Sequence, residues 1–160
     1  MKRKVYIETS VISYLTARQS KTILGAAHQQ ITQAWWETRN QYELLVSESV
    51  LRECGAGDPD AAQKRLAVLS DVPLLLITEQ ALDIAESLVR HGIIPAKAAE
   101  DALHIAIATV NGVDYLLTWN CRHIANPEMQ RCIAAYLGTI GLFLPFICTP
   151  EELLGEDNVE

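Results

Sequence analysis

Short, uniformly apolar runs alternate along the chain with stretches in which apolar residues recur at helical spacing. Val5-Tyr6-Ile7 and Leu44-Leu45-Val46 are examples of the first kind. A strand with one face in solvent would alternate apolar and polar residues, so these runs indicate strands covered by helices on both faces. The alternation of strands and helices predicts a three-layer α/β/α fold around a mostly parallel sheet of about five strands.

Turn and capping signals set the limits of the predicted elements. Strands are predicted at about 4–7, 43–47, 74–77, 115–118 and 142–147, and helices at about 9–17, 22–39, 49–55, 59–70, 79–91, 96–111 and 127–137. Asp58 and Thr78 are predicted helix N-caps, and Gly138 is the predicted end of the helix near 127–137. One domain is expected over residues 1–154, followed by a frayed acidic tail at 155–160.

Composition narrows the possible classes of protein. The chain has 160 residues, is 49% hydrophobic and 21% charged, and contains no run of about 18 apolar residues that would span a membrane. Glu8 interrupts the apolar run behind the basic start, which argues against a signal peptide, so a cytoplasmic protein is expected. The net charge of −7 argues against broad nonspecific binding of nucleic acid. It is weaker evidence against a nuclease, because two divalent ions would cancel about four negative charges.

Polar side chains stand where several predicted strands end or helices begin. Glu8 follows the first strand, Glu48 and Glu53 follow the second, Asn120 follows the fourth, and Asp101 lies in the first turn of a helix. The carboxyl ends of parallel strands share one edge of the sheet, where such folds hold their ligands. Carboxylates gathered there repel one another, and a divalent cation is the commonest reason for them to gather.

The pattern resembles the PIN-domain nucleases, and within them the VapC-type toxins of toxin–antitoxin pairs. The resemblance covers nearly the whole chain. It is carried by Tyr6-Ile7-Glu8-Thr9-Ser10-Val11, by Val46-Ser47-Glu48 through Glu53, by Glu100-Asp101-Ala102-Leu103-His104-Ile105-Ala106, and by Leu116-Leu117-Thr118-Trp119-Asn120.

The resemblance implies metal-assisted hydrolysis of RNA, with Mg²⁺ or Mn²⁺ held by Glu8, Glu53 and Asp101. Glu8 stands where most members of the family carry aspartate. Asn120 is the fourth catalytic position and replaces an acid, which leaves the set one charge short. Glu53 is the better match for the second acid, and Glu48 remains its rival.

Four residues are expected to bind the substrate: Ser10, Thr118, Arg122 and His123. Arg122 and His123 directly follow Asn120, where they would contact an RNA phosphate or base next to the metal. Thr9 and Ser10 are also expected to cap the next helix, with one of them bonded to an acid or a water at the metal. Loop solvation is an equally good interpretation for Arg122 and His123.

Two aromatic residues near these motifs have competing interpretations. His104 lies three residues after Asp101, as a metal ligand could, but its apolar neighbours favour a partly buried histidine that is hydrogen-bonded to the backbone or to Asp101. Trp119 could stack on a base or pack over the edge of the sheet.

The expected function is therefore that of a toxin ribonuclease, with RNA as substrate, a cognate antitoxin as partner and a homodimer as the assembly. All of these follow from the resemblance. The alternative is a catalytically weak PIN-like module that binds RNA or regulates, which Asn120 in place of an acid favours. Which RNA is cleaved is left open.

Overall fold

The computed structural model describes residues 1–155 and contains a sheet of five strands, all parallel to their neighbours. The strands are β1 (Arg3–Ile7), β2 (Tyr42–Ser47), β3 (Leu74–Leu75), β4 (Tyr115–Leu117) and β5 (Phe146–Cys148). Their order in the sheet is β3-β2-β1-β4-β5. The chain builds outward from β1 in one direction and then returns to add β4 on the other side of β1. This reversal opens a crevice between the carboxyl ends of β1 and β4.

Helices cover the sheet and confirm the predicted three-layer α/β/α architecture. They are α1 (Thr9–Thr16), α2 (Ile23–Glu37), α3 (Glu48–Cys54), α4 (Pro59–Val68), α5 (Glu79–Arg90), α6 (Ala99–Val110), α7 (Pro127–Thr139) and α8 (Pro150–Leu154), with short 3-10 turns at Arg39–Gln41 and Ala96–Ala98.

Much of β1 and α6 lies in the core. Val5, Tyr6 and Ile7 of β1 are fully buried, and every residue of α6 from Ala102 to Thr109 is buried. Helix α5 packs along α6, and α1 contacts α2, α3 and α4. Elements buried on all sides have little freedom to shift, so the side chains that β1 and α6 carry toward the crevice are well fixed.

Capping explains most helix boundaries, with one correction. The Asp58 and Thr78 side chains accept hydrogen bonds from the third residue of their helices, as predicted. Helix α7, however, runs through Gly138 to Thr139. Its closing residue in the left-handed region is Gly141 (φ 76°), and the next amide, of Leu142, donates to the carbonyl of Leu137. Gly138 was therefore the wrong stop signal.

Two predicted strands differ in the structure. The third strand is only Leu74–Leu75, because it pairs with just the last two residues of β2. The fifth was expected at about 142–147 but forms at Phe146–Cys148. Phe146 pairs with Tyr115, the first residue of β4, so residues 142–145 lie beyond the amino end of the strand with which β5 pairs.

The remaining expectations concern extent and environment. Within residues 1–155, none of the helices has the length and apolar character required to cross a bilayer. A single domain over residues 1–154 stays a prediction. Apart from Gly155, the acidic tail predicted at 155–160 lies outside the described residues.

Candidate active site

The sheet topology brings the candidate acids to one edge. Glu8 directly follows β1, α3 follows β2 and carries Glu53, and Asn120 lies two residues beyond Thr118, which follows β4. Asp101 lies in the first turn of α6, the helix that leads back to β4. All four elements therefore contribute at the crevice beside β1, where sequence reasoning placed them.

Glu8 is a buried carboxylate held by two hydroxyl groups. It is only 5% exposed, and its Oε1 accepts hydrogen bonds from Ser10 Oγ (2.5 Å) and Thr118 Oγ1 (2.6 Å). Ser10 Oγ also accepts from the backbone amide of Trp119 (2.9 Å), which ties the turn after β4 to the turn after β1. Buried acids are stable only with such partners. The hydroxyls of Ser10 and Thr118 thus serve Glu8, and a role in substrate binding stays a prediction for both.

Glu53 is held in the same manner from another side. Its Oε1 accepts from Thr9 Oγ1 (3.1 Å) and from His104 Nε2 (2.5 Å). Helix α1 takes Glu8 as its N-cap residue without a side-chain capping bond, so the expected capping by Thr9 or Ser10 is wrong. Both hydroxyls bind acids instead, which was the other part of that expectation.

The rival acid, Glu48, lies elsewhere. It is the first residue of α3, its side chain is exposed, and it makes no side-chain hydrogen bond or ion pair with any described residue. Glu53 is half-buried and faces the crevice one to two turns further along the same helix. The geometry favours Glu53 as the second acid of the set.

Sequence reasoning missed a chain of polar groups behind Glu53. His104 is fully buried, and its Nδ1 lies 2.7 Å from the hydroxyl of Tyr6. That hydroxyl is also 2.7 Å from Ser47 Oγ. The expected hydrogen-bonded histidine is confirmed, but it is fully buried where partial burial was expected. Its partners are Glu53 and Tyr6 in place of Asp101 or the backbone.

Asp101 has a lighter set of partners. Its Oδ1 accepts from Asn120 Nδ2 (3.1 Å), and Asn120 Oδ1 accepts from the backbone amide of His123 (3.2 Å). The backbone amide of Asn120 donates to Thr118 Oγ1 (2.9 Å). Asn120 therefore links Asp101 to the hydroxyl groups around Glu8. The neutral residue at the fourth position therefore acts as a hydrogen-bond donor to the third acid.

The pKa values of these acids shift in opposite directions. The pKa of Asp101 is raised, chiefly by burial and further by repulsion from Glu8, against the opposing effects of Asn120, His104 and His123. Burial also acts to raise the pKa of Glu53, but the hydrogen bond and charge of His104, with smaller contributions from Thr9 and Arg52, lower it overall. Glu8 and Asp101 thus lie close enough to repel each other.

The three carboxylates share one further feature. Each has one oxygen bonded to the protein, and the second oxygen has no hydrogen-bond partner among residues 1–155. No three acidic, histidine or cysteine side chains in that part of the chain are yet arranged to share a metal ion. The donor chemistry nevertheless fits Mg²⁺ or Mn²⁺, because hard oxygen ligands suit these ions and a cation would relieve the repulsion between Glu8 and Asp101.

The loop after Asn120 holds the other candidates. Arg122 is exposed and contacts none of the acids, whereas His123 is half-buried and lies close enough for its charge to favour ionisation of Asp101. Trp119 stacks on His28, with ring centroids 4.0 Å apart, and its Nε1 donates to Thr32 Oγ1 (2.8 Å). Packing against α2 is therefore the role of Trp119 that the structure shows.

Several solved structures share this fold, and two of them illustrate the likeness. VapC20 from Mycobacterium tuberculosis, a sarcin–ricin loop cleaving toxin, aligns with a TM-score of 0.57 and 21% identity over 74% of this chain and 91% of that chain. VapBC2 from Rickettsia felis, bound to a DNA fragment from their promoter, aligns with a TM-score of 0.58 and 14% identity over 91% and 98%. No protein-family model matches the sequence, and no curated protein matches it significantly. The chain therefore has the PIN-like fold of these VapC structures.

Proposed function

We propose that this chain is a metal-dependent endoribonuclease and the toxin component of a toxin–antitoxin pair. One observation carries the proposal. Glu8, Glu53 and Asp101 come from three separate elements to the crevice of the sheet, and each keeps one carboxylate oxygen without a protein partner. None of these oxygens is among the buried side-chain atoms of residues 1–155 that lack a partner, so each is accessible from the crevice and free to bind a ligand.

Glu8, Glu53 and Asp101 would hold Mg²⁺ or Mn²⁺ through their open oxygens. Such an ion supplies Lewis-acid polarisation of the phosphodiester and favours ionisation of water at neutral pH. The charge of the three acids suits a doubly charged ion, and the neutral Asn120 leaves the net charge of the set less negative than four acids would.

The surrounding side chains would fix the acids for this task. Ser10 and Thr118 hold Glu8 from both adjoining turns, and Asn120 orients Asp101. Arg122 is exposed beside this group, where its guanidinium could bind an RNA phosphate through two parallel hydrogen bonds. His123, next to Asp101, is the second candidate contact for the substrate.

The partners are proposed by likeness to the two VapC structures. We assign RNA as the substrate, a VapB-like protein as the antitoxin, a homodimer as the assembly and the cytoplasm as the location. The cleavage chemistry, in contrast, is proposed from the residues of this chain.

The test is cleavage of single-stranded RNA by purified protein with Mn²⁺. Asp101→Asn should lower the rate at least about 10²-fold, because it removes a charge on which the reaction depends. Glu48→Gln is the matched control: the acid is exposed, outside the crevice and on the same helix as Glu53, so its loss should leave the rate unchanged. Full activity of Asp101→Asn would contradict the proposal.

Asn120 favours a second candidate, a catalytically weak PIN-like module that binds RNA or regulates. With an amide at the fourth position, one fewer charge is available to hold a cation. This candidate predicts RNA binding that is the same for the wild-type protein and for Asp101→Asn, with no Mn²⁺-dependent cleavage by either.

A further inference from the structure

Four polar side chains form a circuit that links the two ends of α3. Ser47 is the N-cap of α3 and accepts from the amide of Val50. Its hydroxyl pairs with Tyr6 on β1, Tyr6 pairs with His104 on α6, and His104 returns to Glu53 on α3. The two ends of the same short helix are thus joined through Tyr6 and His104, which are both fully buried.

The chemistry of the groups fixes the direction of one hydrogen bond in the circuit. An ionised carboxylate only accepts hydrogen bonds, so His104 Nε2 is the donor to Glu53. At Nδ1 the roles depend on the ring: a neutral His104 accepts from Tyr6, which then accepts from Ser47, whereas a protonated His104 donates to Tyr6, which then donates to Ser47. Each hydroxyl and ring nitrogen then has a partner, which is what buried polar groups require.

His104 itself is unsuited to bind a cation. It is fully buried, and both ring nitrogens are within hydrogen-bond distance of protein groups. Its nearest acid is Glu53, whose Oε1 is taken by His104 and Thr9, while Oε2 has no partner among the described residues.

We propose that His104 is a positioning residue: supported by Tyr6 and Ser47, it holds Oε1 of Glu53 so that Oε2 is the oxygen presented to a divalent cation. This inference rests on the proposed function. Outer groups that orient a metal ligand commonly change metal affinity by about 10- to 100-fold when they are removed.

The experiment measures Mn²⁺ binding to the purified protein without RNA, from the loss of the free-ion electron paramagnetic resonance signal. Two substitutions of His104 are compared. Glutamine carries an amide nitrogen as many bonds from the backbone as Nε2, whereas asparagine reaches only as far as Nδ1. We expect His104→Asn to weaken Mn²⁺ binding by about 10- to 100-fold and His104→Gln to recover most of the wild-type affinity. His91→Asn, which replaces the exposed histidine directly after α5, is the control for loss of a histidine.

Urea unfolding of each variant separates positioning from simple support of the fold. A merely structural histidine would lower stability in the two His104 variants while leaving the Mn²⁺ affinity of the folded fraction unchanged, and that result would overturn the inference. Wild-type protein that binds no Mn²⁺ would overturn the proposed function and the inference together. Wild-type binding with equal affinity in His104→Asn would overturn the inference alone.

Tyr6→Phe provides a second test if His104→Asn does not fold. It conserves the ring volume and removes only the hydroxyl between Ser47 and His104. Mn²⁺ affinity should fall by several-fold, less than in His104→Asn, because His104 keeps its bond to Glu53. Unchanged affinity in Tyr6→Phe would show that the circuit does not position the acid.

Discussion

Glu53 and Asp101 occupy the same edge of the sheet and are both half-buried, yet their surroundings differ. Glu53 meets a buried histidine and a threonine hydroxyl. Asp101 meets a single amide group and has another acid, Glu8, as its electrostatic neighbour. The pKa of Glu53 is lowered and that of Asp101 is raised.

The contrast shows that the hydrogen-bonding partner, and not the depth of burial, decides whether the pKa of an acid at this edge is lowered or raised. Burial is the largest effect at both residues and acts in the same direction. At Glu53 it is outweighed by His104, so the acid contributes to stability. At Asp101 it is not, so the folded protein is strained by a charge that a cation would neutralise.

Removing the better-supported acid should have the largest effect on stability. Glu53→Ala leaves Nε2 of the fully buried His104 without an acceptor, at a cost of about 2 kcal/mol in the free energy of unfolding. Urea denaturation at neutral pH measures it. Glu48→Ala on the same helix is the control, with a change within about 0.5 kcal/mol because that acid is exposed. Equal effects of the two substitutions would remove the distinction between a supported and an unsupported acid.

The sequence was sufficient for the placement of the acids. Glu8 and Asn120 follow short apolar runs that predict strands. Their placement at one edge then follows from the rule that parallel strands share a carboxyl edge, and the sheet is parallel. The predicted limits of a strand were wrong where they depend on the neighbouring strand. The amino end of β5 is set by the start of β4, and no local signal near residue 142 indicates it.

The support of Glu53 could not be predicted in the same way. His104 lies 51 residues from Glu53, and Tyr6 reads as one of three apolar residues in a core strand. A signal was nevertheless present. In the fully buried stretch of α6 from Ala102 to Thr109, His104 is the one ionisable residue, and such a residue must find a partner across an element boundary. The sequence does not say which partner.

A further acid beside Asp101 should increase the electrostatic repulsion on its carboxylate. Asn120→Asp replaces the donor to Asp101 Oδ1 with a like charge, and we expect a loss of about 1 kcal/mol in the free energy of unfolding without metal. The same change adds the fourth acid and should tighten Mn²⁺ binding, by about tenfold if ligand charge controls affinity. Unfolding with and without Mn²⁺ measures both effects. Stability and Mn²⁺ affinity both equal to wild type would place Asn120 outside the set.

The smallest predicted effect has the opposite sign. Asp101→Asn removes the unsupported charge and keeps an acceptor for Asn120, so the variant should be more stable than the wild-type protein at neutral pH. Because Asp101 is half-exposed, solvent screening limits the gain to a few tenths of a kcal/mol. A substitution that stabilises the fold while abolishing cleavage would mark Asp101 as an acid kept for its chemistry.

The pH dependence of that gain identifies its cause. The pKa of Asp101 in the folded state is raised above 3.8, so the folded state binds the proton more tightly than the unfolded state and wild-type stability falls as pH rises through this range. The difference between Asp101→Asn and wild type should therefore be complete above the folded pKa and vanish below about 3.8. Glu53 behaves in reverse: its lowered pKa gives a contribution that is present above 4.5 and lost as pH falls through the folded value. Urea unfolding of Asp101→Asn and Glu53→Gln from pH 3 to 7 measures the difference in the free energy of unfolding between each variant and wild type. The two differences should have opposite signs. Differences of the same sign would contradict the opposite pKa shifts of the two acids.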